Sequence, residues 1–176
     1  GIDWQSLDLK QIQALLMESV QVYEDNLINN IFKVNGQNRA IQHQLNQDLF
    51  RFLQISQEQA RILSSRPLLT EQIFGQSRQA QLQTLDFPLQ RGGRLSLTGK
   101  IDRIDQITTQ KGRFIEVIDY KSSPKDFKLT NVYYGLDLQI LTYLGVALSN
   151  YPEYRALGAF YQSLKQDFQK EEENFC

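Results

Sequence analysis

The spacing of apolar residues changes character twice along the chain. Over residues 7 to about 32, Leu7, Ile12, Leu15, Leu16, Val20, Tyr23, Leu27 and Ile31 recur at helical intervals and predict a long first helix. Asp8 is placed to cap it, and Asn29-Asn30 marks fraying near its end. Asn35-Gly36 reads as a turn. A second amphipathic stretch follows, with Ile41, Leu45, Leu49, Phe52 and Leu53 on one stripe. Pro67 predicts that helical structure stops at Arg66, because the residue before a proline is pushed toward extended conformations.

Beyond Pro67 the period shortens and predicts strands over 68–74, 82–89 and 95–107. In the third, Leu95, Leu97, Gly99 and Ile101 share one face, and Ser96, Thr98, Lys100 and Asp102 the other. The apolar phase then moves to Ile104, which predicts a bend or bulge at Asp102-Arg103. Residues 108–112 turn the chain, and 114–120 is apolar on both faces, as in a central strand. Pro124 closes the strand region; a helix over 132–148 and a last strand over 156–161 complete the chain. The order is α/β, with residues 1–66 a helical part and 67–176 the core of a single domain overall. No internal repeat is visible.

Composition adds bounds. A chain of 176 residues, 41% hydrophobic and 22% charged, can bury a core without a disulfide or metal staple and is too apolar to be disordered. A lone Cys176 excludes an internal disulfide, a zinc ribbon and a self-contained iron–sulfur cluster. No apolar run nears the roughly 20 residues of a membrane span and no signal peptide opens the chain, so the cytoplasm is the expected compartment. A start at Gly1 rather than Met leads us to expect a piece of something longer. The 23 glutamines are dispersed, a compositional habit and not a prion-like tract. The net charge of −1 hides a basic middle: residues 91–128 hold nine Lys/Arg against five Asp/Glu, a net +4 that leaves −5 on the rest. Such a stretch is either a solvated surface or a contact for a polyanion.

The candidate chemistry sits at the end of the apolar strand, in Ile115-Glu116-Val117-Ile118-Asp119-Tyr120-Lys121. Asp119 and Lys121 project from the face that carries Ile115 and Val117. A carboxylate and an ammonium there cost desolvation energy unless they pair with each other or hold a metal. If Gln110-Lys111 is a two-residue hairpin loop, Asp102 lies directly across from Asp119. Two facing carboxylates repel, and a divalent cation between them removes that penalty. Hard oxygen ligands select Mg²⁺ or Mn²⁺, with the Tyr120 carbonyl as a third oxygen. Lys121 could then orient an attacking water or neutralise charge on a phosphoryl oxygen.

The runs Gly99-Lys100-Ile101-Asp102-Arg103-Ile104-Asp105 and Val117-Ile118-Asp119-Tyr120-Lys121-Ser122, with the later Gln139-Ile140-Leu141-Thr142-Tyr143, resemble the RecB-type branch of the PD-(D/E)XK nuclease superfamily. The Tyr133-Tyr134-Gly135-Leu136 lead-in is similar to that of AddB/RexB-type components of helicase–nucleases. The resemblance covers about 67–161 and implies a restriction-endonuclease-like mixed central sheet flanked by helices, here with two long N-terminal helices. It implies that Asp102 and Asp119 are metal ligands and Lys121 the catalytic lysine. Gln139 and Tyr143, four residues apart on one helical face, would hold a phosphate or order the site; Tyr143 reads equally as a core aromatic with a bonded hydroxyl. Lys125 and Lys128 are candidate DNA contacts. Arg103 and Asp105 would be structural or touch DNA, and Glu71 resembles an early acidic position of these domains.

The implied activity is Mg²⁺-dependent hydrolysis, with Mn²⁺ able to substitute, of unwound single-stranded DNA. An AddA/RexA-type helicase–nuclease would be the partner, and double-strand break repair by recombination the setting. Two features depart from the pattern. The single histidine, His43, does not match the spacing of the family's upstream His, and one cysteine cannot build the iron–sulfur cluster of many AddB proteins. The rival readings are a catalytically silent DNA-binding or scaffold domain of the same complex, and another RecB-like exonuclease of phage or CRISPR-associated type.

Overall fold

A computed structural model of the chain describes residues 3–26, 32 and 34–165. They form two compact units that divide between Leu63 and Ser64. The first is helical: a 3-10 turn at Trp4–Ser6 precedes α1 (Leu9–Asn26) and α2 (Gly36–Leu63). Asp8 does cap α1. Its Oδ1 accepts the Gln11 N–H at 2.8 Å while Gln11 Oε1 accepts the Asp8 N–H at 2.9 Å, a reciprocal capping box. Leu27, Asn29, Asn30 and Ile31, which spacing assigned to the end of this helix, lie outside the described residues, as does Cys176.

Asn35-Gly36 is a helix start instead of a free turn, because Asn35 Oδ1 accepts the Asn38 N–H at 2.8 Å and so caps α2. The helix ends at Leu63, ahead of the expected Arg66, where Ser64 takes a φ of 53°. Near that end the buried Gln57 donates to the carbonyls of Trp4 and Leu7 at 2.8 and 2.9 Å, tying the 3-10 turn to α2. Ile41, expected on the buried stripe, is exposed.

The second unit is built on a mixed four-stranded sheet. Its strands in chain order are β1 (Arg66–Phe74), β4 (Gly99–Thr109), β5 (Gly112–Lys121) and β6 (Arg155–Ser163), and they neighbour one another in that order. The pairs β1–β4 and β4–β5 are antiparallel and β5–β6 is parallel. The expected strands over 82–89 and 95–107 are corrected: β2 (Asp86–Pro88) and β3 (Arg94–Ser96) make a separate two-stranded sheet, and the long strand starts afresh at Gly99. Alternation runs unbroken through Leu97-Thr98, but the backbone does not, because the Leu97 carbonyl is taken by the Thr84 hydroxyl and its N–H by the Leu85 carbonyl.

The helix expected over 132–148 is likewise two: α3 (Leu129–Tyr133) and α4 (Gln139–Asn150). Gly135, at φ 73°, donates to the Val132 carbonyl (2.9 Å) and Leu136 donates to that of Asn131 (2.7 Å). This is a Schellman motif, which ends α3 before the apolar periodicity ends. Helix α4 packs across β5 and β6. Its Tyr143, Val146 and Ala147 join Phe74, Ile101, Ile104, Ile115 and Val117 in one core cluster. Burying a large apolar side chain of this kind stabilises the fold by about 1.5–3 kcal/mol. Among the described residues no helix is long and apolar enough to cross a membrane.

Candidate active site

The β4–β5 hairpin sets the register on which the site depends. Thr109 pairs with Gly112, leaving Gln110-Lys111 as the two-residue loop, and the ladder runs to Arg103 opposite Ile118. One step further, where Asp102 would face Asp119, regular pairing stops. The Asp102 side chain replaces it: Oδ2 accepts the Tyr120 N–H at 2.8 Å. The β1–β4 ladder has its register shift in β1, between Pro67 and Leu69, not at the expected Asp102-Arg103. Yet Ile101 and Ile104, three apart, are both fully buried, so the apolar phase of β4 does change where β5 leaves it.

Asp119 is 3% exposed, on the face where Ile115 and Val117 enter the core. The Lys121 ammonium lies 2.5 Å from Asp119 Oδ2, but the approach is a charge contact without hydrogen-bond direction, and that oxygen accepts no hydrogen bond. A buried carboxylate oxygen in this state costs desolvation energy that its lysine only partly offsets. Lys121 also donates to Gln139 Oε1 at 3.3 Å, and Gln139 Nε2 donates to the Tyr143 hydroxyl at 2.9 Å. The first residue of α4 and the one a turn later therefore act in series: Tyr143 fixes the Gln139 amide, and Gln139 fixes the lysine.

Two residues that sequence reasoning missed complete the surroundings of Lys121. Asp137, which is buried, accepts from Lys125 Nζ at 3.0 Å and from the Tyr161 hydroxyl at 2.8 Å. Lys125 Nζ is also 3.1 Å from that hydroxyl, and the ammonium groups of Lys125 and Lys121 lie 4.3 and 5.3 Å from the Tyr161 ring centroid. Hydrogen bonds from Lys125 and Tyr161 hold the Asp137 carboxyl below its ordinary value. The Tyr161 hydrogen bond, with help from Asp137, holds the Lys125 ammonium above its own, while burial raises Tyr161. Asp137 stands two residues before Gln139 in an otherwise apolar run, which was a signal; its partners 12 residues before and 24 after were not readable.

The remaining candidates are more dispersed. Arg103 forks onto Asp105 at 2.6 and 2.5 Å, and donates to the Tyr120 hydroxyl at 3.3 Å. Asp105 is 0% exposed; burial opposes the Arg103 charge, but this carboxylate outweighs it and the guanidinium is held above its ordinary value. Glu71, at φ 57°, pairs with Lys100. His43 is exposed on α2, 3.0 Å from the Gln47 amide. Lys128 precedes α3 and has no ion-pair partner among the described residues. No three His, Cys, Asp or Glu side chains among the described residues cluster as a ready metal cage. The oxygen donors at the hairpin end are the Asp102 and Asp119 carboxylates, with Asp119 Oδ2 touched by the Lys121 ammonium but accepting no directed hydrogen bond. That set suits a hard divalent cation.

A family model described as the PD-(D/E)XK nuclease superfamily matches residues 6–175. The chain belongs to that superfamily. Its mixed sheet with flanking helices is the restriction-endonuclease-like fold of the family. Among curated relatives, the B component of the ATP-dependent helicase/deoxyribonuclease of Lysinibacillus sphaericus (strain C3-41) is 34% identical over 149 residues. That match covers 85% of this chain and 13% of the relative. The corresponding B components from Bacillus thuringiensis (strain Al Hakam) and Bacillus cereus (strain G9842) are each 35% identical over 147 residues, covering 84% of the chain and 13% of each relative. The chain thus spans about an eighth of the length of these relatives.

Proposed function

We propose that this chain is a metal-dependent deoxyribonuclease domain acting within a helicase–nuclease. The observation that carries the reading is the end of the β4–β5 hairpin: Asp102 turned onto the Tyr120 N–H, Asp119 buried with an oxygen that accepts no hydrogen bond, and Lys121 beside it. Asp102, Asp119 and the Tyr120 carbonyl would hold Mg²⁺, with Mn²⁺ able to replace it. The bound ion would supply charge neutralisation at the scissile phosphate and a more acidic water. Asp102 and Asp119 present their oxygens from adjacent strands, so the rigid sheet fixes their separation. Lys121, beside Asp119, would stabilise negative charge developing on a phosphoryl oxygen or orient the incoming water. Gln139, locked by Tyr143, limits the rotamers of that lysine, and a well-placed charge is worth far more than a mobile one.

The relatives' role as B components of a helicase/deoxyribonuclease supports the wider reading, in which the substrate is single-stranded DNA delivered by a helicase partner of AddA/RexA type. In it the domain acts as an exonuclease in the cytoplasm, during double-strand break repair by recombination. The basic stretch over 91–128 supports a polyanionic substrate. Cleavage of a labelled single-stranded oligonucleotide tests the core of the proposal. Activity should require Mg²⁺ or Mn²⁺ and fall by at least a hundredfold in Lys121→Ala and Asp119→Ala, with circular dichroism unchanged. Equal cleavage by Lys121→Ala and wild type would overturn the assignment, and no cleavage under any metal would favour a scaffold.

A further inference from the structure

The segment that joins Lys121 to Gln139 exposes a run of aromatic and aliphatic side chains. Tyr133 is 84% exposed, Tyr134 73% and Leu136 76%, with Phe127 and Leu129 also exposed. Exposed apolar clusters of this kind mark interaction sites. We propose that Tyr133 and Tyr134 form a stacking subsite for the unpaired bases of a DNA strand whose phosphate lies at Lys121. The proposal rests on the nuclease reading above and adds to it where the strand is held.

Three observations favour DNA over other occupants. The first is rigidity. Tyr133 and Tyr134 are the last helical residue and the cap of α3, and both Schellman hydrogen bonds, Gly135 to Val132 and Leu136 to Asn131, are made. A Schellman motif usually covers its outer residue with an apolar contact from the third-last helical residue. Here that residue is the polar Asn131, so Leu136 stays bare. The aromatic pair is presented by a fixed turn instead of being tucked into the fold.

The second is ring geometry. The two rings meet edge to face, with centroids 5.3 Å apart and planes at 83°. Neither covers both faces of the other, so flat surfaces remain for bases. The third is charge and position. Residues 127–136 carry one charged side chain, Lys128, between Asp126 and an Asp137 whose charge Lys125 offsets, so little negative charge faces a phosphate backbone there. Tyr134 and Gln139 are five positions apart, at most about 18 Å of chain, a span that no more than about five stacked bases at 3.4 Å each would cover. A strand can therefore reach from the tyrosines to the lysine.

Fluorescence anisotropy of a twelve-residue oligothymidylate, with a chelator present so that nothing is cut, tests this on the 176-residue chain. Removing both rings in Tyr133→Ala/Tyr134→Ala should weaken binding by about tenfold or more, given the usual strength of base–aromatic stacking. Tyr133→Phe/Tyr134→Phe should stay within twofold of wild type, because the rings remain. A single 2-aminopurine in the strand should be quenched on binding to wild type and to the Phe pair, and not to the Ala pair. Melting temperatures should be unchanged, since both side chains stand in solvent. Binding by the Ala pair within twofold of wild type, with quenching intact, would overturn the subsite and reassign the patch to a protein contact. If wild type cuts DNA in a Lys121-dependent way while that happens, the subsite alone fails. If wild type neither cuts nor binds the strand, the nuclease reading fails with it.

Discussion

The β4–β5 hairpin buries two aspartates that should respond very unequally to the same chemical change. Asp105 is 0% exposed and holds a bidentate contact with Arg103, whose side chain is only 11% exposed. Asp105→Asn keeps the shape but strands a buried guanidinium, and breaking such a pair typically costs about 3–5 kcal/mol. For a chain of this size that corresponds to a loss of roughly 6–20 °C in melting temperature. Asp119 is 3% exposed, but its Oδ2 accepts no hydrogen bond, and its lysine is 26% exposed and keeps Gln139 as a partner if the carboxylate is lost. Asp119→Asn removes a buried charge whose desolvation its lysine only partly offsets and loses that ion pair in exchange, so its stability should change by no more than about 1 kcal/mol in either direction. Thermal melts followed by circular dichroism in a chelator measure both. A loss in Asp119→Asn as large as that in Asp105→Asn would refute the reasoning, because it would make Asp119 a structural carboxylate with no oxygen held in reserve for a cation.

Saturating Mn²⁺ or Mg²⁺ should raise the melting temperature of wild type, by the equivalent of about 2.7 kcal/mol at a hundred times the dissociation constant, and leave Asp102→Ala and Asp119→Asn unmoved; differential scanning fluorimetry reads this. Burial, and then Asp105, push the Glu116 carboxyl above its ordinary value of 4.5. The folded chain therefore holds that proton more tightly than the unfolded one, and stability falls as pH rises from about 4.5 through the raised value. Glu116→Gln should consequently gain on wild type across that window and show no advantage below it, as urea melts between pH 4 and 8 would record. Lys128→Ala should reduce the slope of log affinity for single-stranded DNA against log salt by about 0.7, whereas Lys125→Ala should change it less, because Asp137 already neutralises that ammonium.

The parts of the site that depend on nearby residues were legible in the sequence. The hairpin register followed from Gln110-Lys111, and the alternation of Ile115, Val117, Asp119 and Lys121 placed the carboxylate and lysine on the core side. The spacing of Gln139 and Tyr143 gave their mutual contact. What periodicity could not show was where the backbone bonds elsewhere: apolar alternation runs through Leu97-Thr98 and helical spacing runs through Gly135, yet both are breaks. Nor could it show that Asp102 accepts a backbone N–H in place of a ladder bond. Asp137 and Tyr161 were hidden because their meeting depends on the parallel pairing of β5 with β6.

That parallel pair also orders the site in time. An antiparallel hairpin closes a two-residue loop, at small entropic cost, whereas a parallel neighbour must wait for an intervening crossover. Asp102, Asp119 and the Tyr120 N–H all belong to the hairpin. Tyr161 reaches the neighbourhood of Lys121 only after 33 further residues, including α3 and α4, have folded back to bring β6 beside β5. The oxygens that would grip a cation thus assemble early and locally, and the groups that discipline the lysine assemble late. A chain caught between the two stages would have Asp102 and Asp119 in place while Lys121 still lacked Gln139 and Tyr161 beside it.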